Sequence, residues 1–183
     1  MRERILATAT GMFVARGYDG VAMREIAQAC GITKAALYYH FTGKSDVLNA
    51  IFTGYLDEIA AVVGASADHG GGEQRLRWLV RQLFALPAGR KAIMRLAMHD
   101  VGQLEPEQRA SFGAAYVDRF IGPLQQIVAD GVASGEFVAK DPSLVVWILL
   151  GMLYPFFAPR GSPAVDADSI DDLLDVFFGG LSA

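Results

Sequence analysis

Cysteine is all but missing: Cys30 is the only one in 183 residues. No internal disulfide can form, no thiol has a partner base in sight, and a reducing compartment is expected. Histidine is nearly as scarce. His40, His69 and His99 fall in a short helix, a glycine-rich connection and a separate helix, so three imidazoles do not converge as a zinc site requires. His99-Asp100 resembles half of a metal-hydrolase pair and nothing more. The acids Asp166, Asp168, Asp171 and Asp172 lack the glycine and closing glutamate of a calcium loop, and acids at a helix start are favoured by the helix dipole. No metal, no cofactor and no catalytic group is expected. The most apolar block, Leu144 to Ala158, is roughly 15 residues long and contains Pro155, short of the roughly 18 that would argue for a membrane span. Met1-Arg2-Glu3-Arg4 leads into an amphipathic pattern rather than an apolar leader, which predicts a cytoplasmic protein that meets no membrane. An overall basic excess is missing as well, since the net charge is −4. The charge is uneven, however. Residues 1–48 carry six bases against four acids, +2, which leaves −6 on the rest. That division fits a nucleic-acid contact confined to one end.

What the chain does have is apolar residues at helical spacing, 52% of the total being hydrophobic. Neither strand-like alternation nor an internal repeat is present. Ile5, Ala9, Met12 and Phe13 form a first stripe ended by Gly17. Val21 to Cys30 and Thr33 to Phe41 follow as two short helices. A long fourth helix runs from about Lys44, carrying Leu48, Phe52, Leu56 and Val63 on one side. The segment Gly64 to Gly72 reads as a flexible connection. Helices are then expected over about 73–86 and 89–101, with a long one opening at Pro106 and kinked by Pro123, whose ring removes a donor. Asp141-Pro142 starts an eighth helix, and Ile170 to Leu181 a ninth. The prediction is an all-α chain of about nine helices.

The run from Ile26 to Phe41 carries the most information. Gly31 can take the left-handed conformation that stops a helix, and Thr33 can cap the next one. Two short helices about a glycine turn form a helix-turn-helix unit, whose second helix enters the DNA major groove. The plainer alternative is an ordinary helical hairpin.

Taken with Gly17-Tyr18, Val21-Ala22-Met23-Arg24-Glu25-Ile26-Ala27, Gly31-Ile32-Thr33-Lys34, Leu37-Tyr38-Tyr39-His40-Phe41 and Lys44-Ser45-Asp46-Val47-Leu48, the first 50 or so residues closely resemble the TetR family of bacterial transcriptional regulators. The resemblance implies a helix-turn-helix DNA-binding domain over 1–48 and a helical ligand-binding and dimerisation domain over 49–183. It implies a homodimer on a palindromic double-stranded DNA operator, released when a small apolar effector enters the body and acts through the long fourth helix. Lys34, Ala35 and Tyr38 lie where family members approach base edges, with Arg24 able to join them. Thr33, Tyr39, His40 and Lys44 lie where such heads hold phosphates. Each has a plainer reading: Tyr38 as a core aromatic, His40 as a helix cap, Arg24 as a solvated charge. Two departures stand out. Ala22 replaces the usual Ser or Thr, leaving the second helix without a side-chain cap, and almost no basic arm precedes the first helix.

In the body, Met and aromatic side chains can line an apolar pocket. The candidates are Trp78, Phe84, Met94, Met98 and His99, followed by Phe112, Tyr116, Phe120 and Trp147. Ordinary core packing is the alternative for each. The last two helices carry more apolar surface than a chain end leaves exposed, so the dimer interface is expected there. It would use Val145, Ile148, Leu149, Met152 and Phe156 with Ile170, Leu173, Leu174, Phe177 and Phe178. Two rival functions remain at this point: a carrier of small apolar molecules without DNA function, and an all-helical enzyme.

Overall fold

A computed structural model describes residues 1–157 and 167–181. Ala158, closing the apolar block, and Asp166, the first of the acidic cluster, lie outside them. The described chain is helical from end to end. Its α-helices are α1 (Arg2–Arg16), α2 (Met23–Ala29), α3 (Lys34–His40), α4 (Lys44–Ala65), α5 (Gly72–Ala85), α6 (Ala88–Asp100), α7 (Pro106–Tyr116), α8 (Gly122–Ala133), α9 (Pro142–Leu153) and α10 (Ala167–Gly179). The expected kinked helix appears as α7 and α8 joined by a π turn, Val117–Ile121. Pro123 has no N–H to give, and just ahead of it the backbone widens so that the Gly122 amide reaches the Val117 carbonyl.

Packing divides the described chain into two compact units, 1–55 with 88–114 and 56–87 with 115–183. The first is a head built on α1 to α3 and the start of α4. It also contains α6, which packs on α1 through Ala92, Ile93 and Leu96. The boundary expected at 48/49 falls inside α4, whereas packing divides that helix after Tyr55. Ile5, Phe13, Ile26, Leu37, Phe41, Leu48 and Phe52 are all within the core of this unit. The Ser45 hydroxyl donates to the Gln108 carboxamide oxygen at 2.5 Å and accepts from the Glu105 amide at 3.1 Å, so α4 caps the start of α7.

In the second unit α8 lies between α5 and α9, and α10 packs on α5. Three arginines of α5 fasten it. Arg77 pairs with Asp175 at 2.8 Å and lies over the Phe178 ring, Arg81 pairs with Asp171 at 2.8 Å, and Arg75 reaches Asp130 at 4.0 Å. One member of the acidic cluster, Asp171, is thereby explained as an ion-pair partner, and Asp175 of α10 is another. The Gly64–Gly72 segment is not the loose connection its composition predicts. It forms a 3-10 turn, Ser66–Asp68, and its glycines make room for close neighbours. A Cβ on Gly72 would lie 2.8 Å from the Phe137 ring, and one on Gly131 would also collide with it. The Glu136 carboxylate accepts from the Gly72 and Glu73 amides at 2.7 and 2.9 Å, capping α5 from a distant part of the chain.

The membrane question moves as well. The segment Lys44–Asp68, rather than the α9 block, is long and apolar enough by length and composition to cross a bilayer. Val47, Leu48 and Phe52 bury its first half in the head core, and Leu56, Ile59 and Val63 bury its second half in the body. It is a core helix.

Candidate nucleic-acid interface

The turn between α2 and α3 is fixed by backbone geometry. Gly31 has φ 62°, the Gly31 amide donates to Gln28 at 3.0 Å, and the Ile32 amide donates to Ala27 at 3.0 Å. This left-handed closure returns the chain sharply enough for a new helix to begin two residues later. Thr33 opens that helix, its hydroxyl oxygen accepting from the Ala36 amide at 3.1 Å. Leu37 and Phe41 anchor α3 in the core, both essentially without exposure.

The opposite side of α3 is open. Lys34, Ala35, Tyr38 and Tyr39 are exposed, Tyr39 by 86%, and Thr33 and Arg24 are exposed beside them. Tyr38 is therefore not a core aromatic. The Lys34 ammonium lies 5.5 Å from the Tyr38 ring centroid, and the Tyr39 and His40 rings meet edge-on at 5.3 Å. His40 is half-buried. A helix with a buried anchor and a polar, aromatic outer surface is shaped to enter a groove.

Lys44 departs from expectation. Its Nζ donates to the Tyr18 carbonyl at 2.9 Å and the Val21 carbonyl at 3.0 Å, and lies 4.0 Å from the Tyr18 ring centroid. An ammonium has three donors, and two are spent inside the head. Lys44 fastens the α1–α2 loop, with one of its three N–H donors left over. Burial, and then the charges of Asp19, Glu105 and Asp100, push the Tyr18 phenol above its ordinary range.

The start of α2 has half of a capping box. The Glu25 carboxylate accepts from the Ala22 amide at 2.7 Å, while the Ala22 methyl has nothing to offer in return. That amide bond, and next the Arg16 guanidinium at 2.8 Å, hold the Glu25 carboxyl below its ordinary range. Arg16 also donates to the Gly20 carbonyl.

Sequence reasoning missed Arg2 and Arg4. Arg4 donates to the Cys30 carbonyl at 2.9 Å, and the Arg2 guanidinium lies 5.0 Å from the Phe41 ring centroid. The available signal was two cations in a first helical turn, where the dipole disfavours them.

The nine pocket candidates are scattered. Met94, Met98, His99 and Phe112 belong to the head unit, the other five to the body. Met98 and His99 are exposed, and Phe112 packs on Phe52 at 5.6 Å. Trp78 stacks on His69 at 4.3 Å beside an open groove. Phe84 meets Phe157 at 4.6 Å, and Tyr116 meets Phe120 at 5.4 Å next to the π turn. Trp147 is 54% exposed on the outer face of α9.

The interface residues need a larger correction. Val145 and Leu149 of α9, with Ile170, Leu174, Phe177 and Phe178 of α10, are buried in this chain's own body. Met152, Phe156 and Leu173 are half-buried, and only Ile148 is exposed. A helix apolar on every side has two apolar faces, and periodicity does not say which is inward. The outward stripe is Leu144, Trp147, Ile148 and Tyr154, with Val176 of α10 exposed by 74%.

The chain matches the model for "Bacterial regulatory proteins, tetR family" over residues 5–51 and that for "Tetracyclin repressor-like, C-terminal domain" over 69–166. It is 36% identical to the HTH-type transcriptional repressor KstR2 of Rhodococcus jostii over 100% of this chain and 91% of that one. The similarity to the HTH-type transcriptional regulator SrpR of Pseudomonas putida is 42% over 50 residues, only 27% of this chain and 24% of SrpR. Among solved structures, AibR in complex with isovaleryl coenzyme A and operator DNA superposes with a TM-score of 0.81 at 28% identity, covering 96% of both chains. With an open recognition helix on a buried anchor, and both domains matched, the chain belongs to the TetR family of bacterial regulatory proteins and is a DNA-binding regulator, not an enzyme.

Proposed function

We propose that the chain is a homodimeric repressor of bacterial transcription that holds a palindromic operator and leaves it when a small apolar effector binds. The observation that carries this reading is α3, capped by Thr33 and anchored by Leu37 and Phe41, with Lys34, Ala35, Tyr38 and Tyr39 turned outward. Residues 1–48 read DNA and residues 49–183 bind effector and partner. Lys34 donates to guanine O6 and N7, Ala35 meets a thymine methyl, and Tyr38 and Arg24 reach neighbouring edges. Thr33, Tyr39 and His40 hold phosphates. The Thr33 hydroxyl is free to donate because its oxygen, not its hydrogen, serves the cap.

The outward stripe of α9, Leu144, Trp147 and Ile148, pairs with its copy about a two-fold axis, which gives the symmetry a palindrome needs. Phe84, Phe157, Tyr116 and Phe120 are the body aromatics best suited to surround an effector. AibR, crystallised with isovaleryl coenzyme A, makes acyl thioesters of coenzyme A the first class to try, the short acyl chain being the small apolar part these aromatics would surround. A regulator that reads the chromosome works in the bacterial cytoplasm.

Selection of bound duplexes from a random pool tests this directly and should return a palindrome. Isovaleryl coenzyme A is then titrated with and without that duplex. Linkage requires each ligand to weaken the other by the same factor. A protein that selects no duplex yet binds the thioester is a carrier, and the regulator reading fails.

A further inference from the structure

Besides Arg24 and Lys34, residues 1–48 hold four cations, Arg2, Arg4, Arg16 and Lys44. Arg16 is neutralised by Glu25, and Lys44 is spent on two carbonyls. Arg2 and Arg4 are exposed, and among the described residues neither meets a carboxylate. Both are nevertheless tethered to the helix-turn-helix unit. Arg4 is tied through one Nη to the Cys30 carbonyl, at the turn where α3 is about to begin. Arg2 lies over Phe41, the residue that ends α3. The helix proposed to enter the groove therefore has a fixed guanidinium near each of its ends.

That placement suits a particular partner. A major groove is walled by two rows of phosphates, and contacts to them set register without reading sequence. The Arg4 nitrogen that donates to Cys30 also reaches the Met1 sulfur at 3.3 Å. A guanidinium held through one nitrogen, or by stacking on a ring, keeps its remaining donors in a rigid fork and loses little further freedom on binding. The needs of α1 itself do not place charge here, since cations in a first turn oppose the helix dipole.

Resting on the DNA-binding reading above, we propose that Arg2 and Arg4 are ligands for the operator's backbone phosphates on either side of the recognition helix. They supply from within α1 an electrostatic grip on the backbone of the duplex. The partner is duplex DNA through its phosphodiesters, not through its bases.

The test uses the full chain, with no tag ahead of Met1, and a duplex selected by the parent protein. Affinity is measured against salt for the parent, for Arg2→Ala/Arg4→Ala and for Arg2→Lys/Arg4→Lys. Each lost phosphate contact lowers the slope of log K on log salt by about 0.9, and the dimer loses two in each protomer, so the alanine pair should flatten it by about 3.6. Between 50 and 200 mM salt the parent should then lose on the order of a hundredfold more affinity than the alanine variant. The order of preference among point-mutated operators should not change, and the lysine pair should keep the parent's slope. An unchanged slope in a folded alanine variant overturns the proposal, as does a reshuffled base preference, because either makes the arginines packing groups only. If the alanine pair melts the head, Arg2→Gln/Arg4→Gln with helical content matched to the parent decides by the same slope. A parent that selects no duplex refutes the underlying reading before either arginine is changed.

Discussion

Lys44 rests on Tyr18: its ammonium lies 4.0 Å from the ring centroid and donates to the Tyr18 carbonyl at 2.9 Å. With the second bond to Val21, one side chain at the start of α4 holds both ends of the α1–α2 loop. Lys44→Ala leaves two carbonyls without their donor and should cost about 1–2 kcal/mol of head stability. Because two of its donors are used internally, the salt slope of operator binding should stay within about 0.5 of the parent's, whereas losing a phosphate-bound lysine from both protomers would lower it by about 1.8. Thermal melting and a salt series check the two halves separately. A full loss of slope without a loss of stability would return Lys44 to the phosphate row.

Ile148 and Leu149 are neighbours in sequence with opposite fates, the first exposed and the second in the core. Trp147→Glu/Ile148→Glu alters only the outward stripe and should yield helical monomers in sedimentation. Phe177→Asp should behave differently. Its ring is buried against Phe178 at 5.0 Å, and losing it costs about 3–5 kcal/mol before the buried charge is counted. That variant should be unfolded or aggregated rather than monomeric. A folded Phe177→Asp monomer beside a dimeric Trp147→Glu/Ile148→Glu protein would reverse this assignment.

The head was legible because its signals are local. Gly31, Thr33 and the spacing of Ile26, Leu37 and Phe41 act over a few residues, and each took the conformation and burial its chemistry requires. Even so, a helical pattern identifies a charge without saying where it goes, and Lys44 needed the distant Tyr18 carbonyl to reveal its role. The body was less legible for the same reason. Gly71 and Gly72 read as slack until Glu136 and Phe137, some 64 residues on, are brought against them. On α9, Trp147 and Val146 are both apolar in sequence, and only packing separates the outward indole from the buried valine.

Ala22 leaves a box half made, since Glu25 accepts from the Ala22 amide while nothing at position 22 accepts in return. Ala22→Thr supplies that acceptor to the free amides of α2. It should stabilise the head by about 0.5–2 kcal/mol. Melting of the variant should be higher than the parent's, and Glu25→Gln in the same background should forfeit part of the gain. An unchanged melting temperature would mean that the hydroxyl does not reach the amide two or three residues ahead.

Asp100 gives the head a pH dependence of known sign. Burial, and next the Asp19 carboxylate, raise its carboxyl above the ordinary value of 3.8, with His99 opposing. The folded chain therefore keeps this proton to a higher pH than the unfolded chain does. Its contribution is most favourable below about 4 and declines as pH rises through the raised value, so at pH 7 the charged form carries its full penalty. Asp100→Asn removes that penalty. Partial exposure limits the gain to about 1 kcal/mol or less, or roughly 2–4 °C in melting temperature at pH 7. Comparing parent and variant at each pH cancels the titration of every other group. The difference should shrink toward zero near pH 4, and a gain that is the same at pH 4 and pH 7 would show that it comes from packing or hydrogen bonding rather than from the charge.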